Sequence, residues 1–177
     1  MKPGEPEIIK LPLRTVLTLA VVGDPNRVTA GVMQALYGTA FGTKFSGGAG
    51  SGSAGKAKRK DFDIGRLSAF WPDAMKKPKS KWTAHWMLDV PSFVRQKDLL
   101  QKNPNMPVKV KTLPAATVAE ILHIGPYSAE GPTIKKLNRF IALEGYRITG
   151  PHEEVYLSRP GPKGKTIIRY RIKQKRR

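Results

Sequence analysis

The sequence contains no cysteine, and this absence removes several kinds of chemistry. Disulfides, thiolate metal sites and cysteine nucleophiles are all excluded. No apolar run approaches the roughly 18 residues that a membrane-spanning helix needs. The N-terminal segment MKPGEPEIIKLPLR carries prolines and acids where a signal peptide has its apolar core. We therefore expect a soluble, cytoplasmic protein that makes no membrane contact.

Acidic residues are also scarce. The chain has 13 Asp and Glu against 32 Lys and Arg, which gives a formal net charge of +19 at pH 7. The basic excess is concentrated in KAKRK at 56–60, in KKPKSK at 76–81 and in the C-terminal tail. Such charge attracts nucleic acid or acidic proteins weakly and without sequence preference. It serves equally well as an adaptation for solubility, and the sequence leaves both interpretations open.

Familiar metal and nucleotide motifs are missing as well. His85, His123 and His152 lack the spacing of metal ligands, and no acids cluster with them in the sequence. GSGSAG at 50–55 matches a dinucleotide-binding fingerprint, but no buried strand precedes it and no helix follows it. We therefore expect no metal and no cofactor, and a flexible Gly/Ser and basic loop at 46–60.

What the sequence does contain is one hydrophobic pattern that occurs twice. Each copy predicts a strand, an amphipathic helix and two further strands. The first copy has its strand at 13–24, its helix at 25–41 and its later strands at 62–71 and 81–90. The second has its strand at 117–127, its helix at 132–146 and its later strands at 153–160 and 166–173.

This repetition predicts a single α+β domain over residues 1–177 with a basic tail at 174–177. The first repeat spans about 10–93 and the second about 108–173, and they are related by pseudo-twofold symmetry. We expect antiparallel sheets with the helices on the outer side of a central cleft. Clefts of this kind are the usual place for a ligand.

Two adjacent acids in GPHEEVYL raise a question about function. Strand alternation places Glu154 and Tyr156 on one face, with Val155 and Leu157 on the other. If the helices cover the Val155 face, Glu154 points into the cleft, where a carboxylate beside aromatic rings suits cationic aromatic ligands. A partly desolvated carboxylate is also suited to general acid or base catalysis. The alternative is that Glu153 and Glu154 are solvated residues at the start of a strand.

The second half of the chain resembles the GyrI-like small-molecule-binding domain. The resemblance rests on HIGPY at 123–127, EGYRITGPHEEVYL at 144–157 and KTIIRY at 165–170. GDPN, ALYGTAF and WMLDVPSFV are similar to the first half of stand-alone members, so the resemblance spans nearly the whole chain. The family also includes the effector-binding domains of multidrug-sensing regulators. No helix-turn-helix precedes the domain, so we do not expect a complete transcription regulator.

The resemblance implies a duplicated strand–helix–strand–strand fold around a central cleft, in agreement with the repeat. It also implies that Glu154, the acid before the YL pair, lies at the cleft base and meets cationic or aromatic ligands. For Glu153 we retain the interpretation that it is solvated at the start of the strand. Stand-alone members carry a second acid in a PLEGLW-like segment, whereas this chain has RLSAFW, with Ser68 in the acid's place.

Three functions follow as hypotheses. The first is binding of amphipathic, aromatic or cationic small molecules. The second is hydrolysis of reactive cyclopropane-bearing xenobiotics, as some stand-alone relatives perform it, with Glu154 and Tyr127 as catalytic residues. The third is interaction with gyrase or another acidic partner. The candidate ligand-binding residues are Glu154, Tyr127, Tyr156, Trp71, Trp82, Trp86, Phe70 and Ser68, although the tryptophans could equally be core.

Overall fold

A computed structural model of the protein describes residues 1–46, 62–73, 76–101 and 103–175. The loop predicted at 46–60 lies outside these ranges except for Ser46, and so do the last two residues of the predicted tail. Among the described residues, no helix is both long and apolar enough to cross a membrane.

Two helices and nine strands make up the regular structure of the described ranges. The strands are β1 Glu7–Leu11, β2 Arg14–Val22, β3 Leu67–Trp71, β4 Thr83–Val90, β5 Lys109–Leu113, β6 Ala116–Ile124, β7 Tyr146–Ile148, β8 His152–Tyr156 and β9 Lys165–Gln174. The helices are α1 Pro25–Ser46 and α2 Gly131–Leu143. The order strand, helix, strand, strand occurs twice, as β2-α1-β3-β4 and as β6-α2-β8-β9, as the hydrophobic pattern predicted. Strands β1, β5 and β7 were not predicted.

The helix boundaries follow from local chemistry. At the start of α1, the Asp24 side chain accepts the Asn26 N–H at 3.0 Å, and Pro25 occupies the first turn, where its missing N–H costs no hydrogen bond. The helix continues to Ser46, beyond its predicted end at residue 41. After α2, Gly145 adopts φ +75°, the left-handed conformation in which helices commonly end.

The sheet is continuous and antiparallel through the whole domain. Its order is β1-β6-β9-β8-β3-β4-β2-β5, and β7 pairs separately with β9. The two repeats meet where β3 pairs with β8, in a register that runs from Leu67 opposite Tyr156 to Trp71 opposite His152. The antiparallel sheets predicted for the two repeats are therefore one sheet, and the β3–β8 pair is its central junction.

Helix α1 lies on the face of the sheet that carries Glu154. Glu154 pairs with Ala69, Ala69 with Trp86, and Trp86 with Leu19. Residues paired across antiparallel strands share a face, so these four side chains lie on one side of the sheet. Leu36 of α1 is fully buried in the same core as Leu19 and Trp86.

Helix α2 packs on this same face in the second half. Its Leu137 is buried in a core with Ile168, and Ile168 pairs with Glu154 across β8 and β9. The assumption that the helices cover the Val155 face is therefore wrong. The apolar surface that a helix can bury lies on the Glu154 side of the sheet, and α1 lines a cleft on that side.

The face without helices carries a buried ion network. Glu153 is only 3% exposed, and its Oε1 accepts from Arg14 at 2.9 Å and lies 3.8 Å from Arg169. Arg169 also donates to Glu120 at 2.6 Å. The expectation that Glu153 is solvated is therefore wrong. Strand β8 is central rather than peripheral, so β3 and β9 cover its entrance on both sides.

Candidate ligand-binding site

Glu154 lies near the middle of the sheet and is surrounded by hydrogen-bond donors. The Tyr156 hydroxyl donates to Oε2 at 2.7 Å, and His152 Nε2 lies 3.1 Å from Oε1. A carboxylate only accepts, so His152 presents Nε2–H to it and keeps Nδ1 as the acceptor for the Tyr170 hydroxyl, at 2.9 Å. These contacts on both carboxylate oxygens set the orientation of the Glu154 side chain.

Aromatic rings from both repeats converge on Tyr156. Trp86 stacks on it at 5.6 Å between ring centroids, Tyr127 meets it edge-on at 5.9 Å, and the Trp71 indole N–H donates to its hydroxyl at 3.3 Å. Trp71 in turn contacts Trp86 and Trp82 edge-on. The β3–β8 junction makes this possible, because it places a tryptophan-rich strand pair of one repeat beside the acid of the other.

A cleft of about 680 Å³ opens beside these rings. Its apolar lining comes from α1 and the sheet, and its mouth carries two arginines. The lining residues include Thr29, Met33, Tyr37, Leu67, Trp86, Tyr127, Tyr156, Leu157, Arg66 and Arg159. Glu154 is not part of this lining: its side chain is 13% exposed and lies behind Tyr156, which bonds to it. The carboxylate therefore acts on the cleft through its charge and through the ring that it holds.

Sequence reasoning missed a second acid, Glu130, at the residue before α2. It is 5% exposed, and its Oε1 has no hydrogen-bond partner among the described residues. Burial, and then the negative charge of Glu154, raises the pKa of Glu130 to about 8. In HIGPYSAEGP this acid follows Tyr127 by one short turn, which is the one signal that could have placed it near the cleft.

The tyrosines beside the acids remain protonated at neutral pH. Burial, and then the charges of Glu154 and Glu130, raises the pKa of Tyr127 to about 12 and that of Tyr170 also to about 12. The pKa of Tyr156 is also raised well above its ordinary value, first by burial and then by the charge of Glu154. Each hydroxyl is therefore available as a hydrogen-bond donor throughout the physiological pH range.

The structure brings together six of the eight residues predicted to bind a ligand. Glu154, Tyr127, Tyr156, Trp71, Trp82 and Trp86 form one connected cluster. Ser68 and Phe70 do not join it, because they alternate to the opposite face of β3, where they pair with Val155 and Glu153. Ser68, which stands where the family motif has an acid in the first repeat, thus faces away from Glu154.

One of the three histidines also differs from expectation. His85 is exposed on β4, and His123 is buried with Nδ1 at 2.9 Å from the Thr133 hydroxyl. His152, however, lies with Glu130 and Glu154 in a group whose potential ligand atoms are all within 4.8 Å of one another. The expectation that no acids cluster with a histidine is therefore wrong, because strand alternation places Glu154 beside His152 on one face of β8 and the fold adds Glu130, which is distant in sequence.

Comparison with solved structures supports this architecture. An uncharacterized conserved protein from Listeria innocua has 28% identity and a TM-score of 0.81, with 97% of this chain and 93% of that one covered. A hydrolase from the same organism has 26% identity and a TM-score of 0.80, with 98% and 94% covered. The C-terminal domain of EcmrR shares only the fold, at 12% identity and a TM-score of 0.64, with 97% and 98% covered.

No curated protein matches the chain significantly. The family comparison gives a match that runs from residue 4 to residue 175, which includes both repeats, the β3–β8 junction and the Glu154 cluster. The chain belongs to the GyrI-like small molecule binding domain family.

Proposed function

We propose that this protein binds amphipathic aromatic compounds, with a preference for cations, in the cleft beside Tyr156. The observation that carries the proposal is the Glu154 carboxylate, fixed by Tyr156 and His152 behind a wall of aromatic rings. Aromatic faces attract cations through their quadrupole, and a negative charge in a poorly solvated site strengthens that attraction. Tyr127 and Trp86 both supply ring surface to the cleft lining.

The protein's own fluorescence provides the assay. All three tryptophans of the chain belong to the aromatic cluster, so a ligand in the cleft should quench their emission. We would titrate tetraphenylphosphonium as the cation and triphenylphosphine oxide as a neutral counterpart. In Glu154→Gln the carboxylate charge is lost while its shape is retained.

Removal of this charge should cost on the order of 1–3 kcal/mol of binding free energy for the cation. Affinity for the cation should therefore fall roughly 5- to 150-fold, and affinity for the neutral compound should change less. Glu144→Gln, at an exposed position just after α2, is the matched control and should bind both as the wild type does. Equal cation affinity in Glu154→Gln and the wild type would reject the proposal.

A second candidate function is hydrolysis of reactive xenobiotics such as cyclopropane-bearing alkylating agents. It is favoured by the similarity along the whole chain to the Listeria hydrolase. The attacking water would lose its proton to the Tyr156 hydroxyl, which would pass its own proton to Glu154, and the Tyr127 hydroxyl would donate a hydrogen bond to the substrate. In a turnover assay on such a compound, Glu154→Gln should abolish product formation while fluorescence quenching by the substrate persists. Absence of turnover by the wild type would leave binding alone as the function.

A further inference from the structure

The buried acids on the two faces of the sheet differ in their counter-charges. On the face without helices, Glu153 and Glu120 are paired with the guanidinium groups of Arg14 and Arg169. On the cleft side, Glu154 has only His152 within ion-pair distance, and Glu130 has no ion-pair partner among the described residues. This is unexpected in a chain with 32 Lys and Arg. Two buried acids in one cluster can both ionise at low cost only if a cation compensates their charge.

The geometry of the cluster limits what that cation can be. One carboxylate oxygen of Glu130, one of Glu154 and a ring nitrogen of His152 all lie within 4.8 Å of one another. Glu130 is 95% buried, and its Oε1 is left without a partner in this group. These three residues are also absent from the lining of the large cleft, which is formed instead by Tyr127 and Tyr156. The space suits a single ion better than the body of an organic ligand.

We propose that Glu130, His152 and Glu154 bind a divalent transition-metal ion such as Zn²⁺ or Mn²⁺. Two carboxylate oxygens and one imidazole nitrogen are a donor set that these ions accept, and three protein ligands leave a position open for water. To bind the ion, His152 would take the other tautomer, in which Nε2 is free of its proton and Nδ1–H donates to the Tyr170 hydroxyl, as metal-binding histidines donate to their outer-sphere partners. Mg²⁺ and Ca²⁺ prefer all-oxygen sites and should bind more weakly.

The metal site shares Glu154 with the proposed function but does not depend on it. A bound divalent ion would neutralise the two carboxylates, so the metal should weaken the binding of an aromatic cation in the cleft. The metal titration itself contains no organic ligand. A negative result for metal binding can therefore be distinguished from a negative result for small-molecule binding.

The experiment is calorimetric titration of the untagged full chain with Zn²⁺ and with Mn²⁺, each repeated with Mg²⁺ as a reference. We expect one ion per chain, at micromolar affinity or tighter, and a rise in Tm when the ion is present. Glu130→Gln and His152→Asn should each weaken binding by roughly tenfold or more. The matched controls are Glu144→Gln and His85→Asn, which alter an exposed acid and an exposed histidine and should bind as the wild type does.

Circular dichroism of each variant shows whether it is folded before its affinity is interpreted. The wild-type titration stands even if a variant does not fold. The proposal would be overturned if neither ion showed saturable binding to the wild type up to about 100 μM. A Kd of that size corresponds to a binding free energy of only about 5 kcal/mol. It would also be overturned if folded Glu130→Gln and His152→Asn retained wild-type affinity, or if Mg²⁺ bound as tightly as Zn²⁺ and Mn²⁺.

Discussion

At the scale of single residues, Glu153 and Glu154 illustrate how far two neighbours can differ. They are adjacent in sequence, but strand alternation sends them to opposite faces of β8. Glu154 bonds with Tyr156 and His152 beside the cleft, whereas Glu153 pairs with Arg14 on the face without helices. One acid therefore belongs to the candidate site and the other to the framework.

This division makes a prediction about stability. Glu153→Gln removes the charge between Arg14 and Arg169 and should lower the free energy of unfolding by about 1–3 kcal/mol, because the two guanidinium groups keep only Asp89 and Glu120 as partners. Urea unfolding followed by circular dichroism measures the change. The exposed Glu144→Gln should stay within about 0.5 kcal/mol of the wild type. An unchanged midpoint for Glu153→Gln would show that the network contributes nothing to stability.

The alternation in EEVYL was enough to place Glu154 and Tyr156 on one face, since phase within a strand is a local property. It could not identify the face that the helices cover, nor the burial of Glu153, because both depend on the strands that lie beside β8. Glu130 was missed for the same reason. Its neighbours His152 and Glu154 are close to it only after α2 has packed on the sheet.

At the scale of elements, the repeated strands and helices were predictable because each carries its own hydrophobic period. The three additional strands were not. Strand β1 pairs with β6 and β5 pairs with β2, both over long or irregular connections, and β7 has three residues. Their short segments carry little alternation, so their status as strands depends on the partners that they meet.

The connection between β3 and β4 is held by one acid. Asp73 accepts from the Thr83 N–H at 2.8 Å, from the Thr83 hydroxyl at 3.1 Å and from Lys77 at 2.7 Å. The bond from Lys77, and then that from the Thr83 backbone, lowers the pKa of Asp73 from 3.8 to about 2. The acid thus closes the turn at the end of the tryptophan-rich strand pair.

This lowered pKa predicts a pH dependence with a definite sign. A group whose pKa is lower in the folded state stabilises the fold above its unfolded pKa and loses that contribution as the pH falls through the folded value. Wild type should therefore be more stable than Asp73→Asn at pH values above 3.8, and the difference should shrink toward pH 2. Urea midpoints of both proteins across this range test it. A difference that is constant with pH would contradict it.

At the scale of the whole molecule, part of the basic charge behind the net +19 lies on loops and on an edge strand. Lys76, Lys79 and Lys81 are exposed in the β3–β4 connection, and Lys109 and Lys111 lie on the edge strand β5. Lysines on an edge strand also discourage pairing with a second sheet. Lys79 and Lys81 lie in a 3-10 helix of three residues, which is too short to read a DNA groove, and the other three lysines lie outside helices.

Any association with DNA should therefore be weak, independent of sequence and strongly dependent on salt. Phosphate contacts release counterions, so affinity should fall steeply between 50 and 200 mM salt, by roughly 10³-fold or more if six or so phosphates are contacted. Fluorescence anisotropy with two unrelated labelled duplexes of equal length measures this. Binding that persists at high salt, or that favours one duplex, would point instead to a dedicated nucleic-acid site.

The β3–β8 junction has a mechanical consequence. Many two-lobed binding proteins enclose a guest by swinging their lobes about a hinge. Here the two repeats are joined by the hydrogen-bonded strand pair β3–β8, whose register runs from Leu67 opposite Tyr156 to Trp71 opposite His152. Such a swing would break backbone hydrogen bonds along the whole seam. If the protein binds small molecules as proposed, we therefore expect it to adapt to ligands of different size by rotation of the Tyr127 ring and tilting of α1, with the separation of the two repeats unchanged.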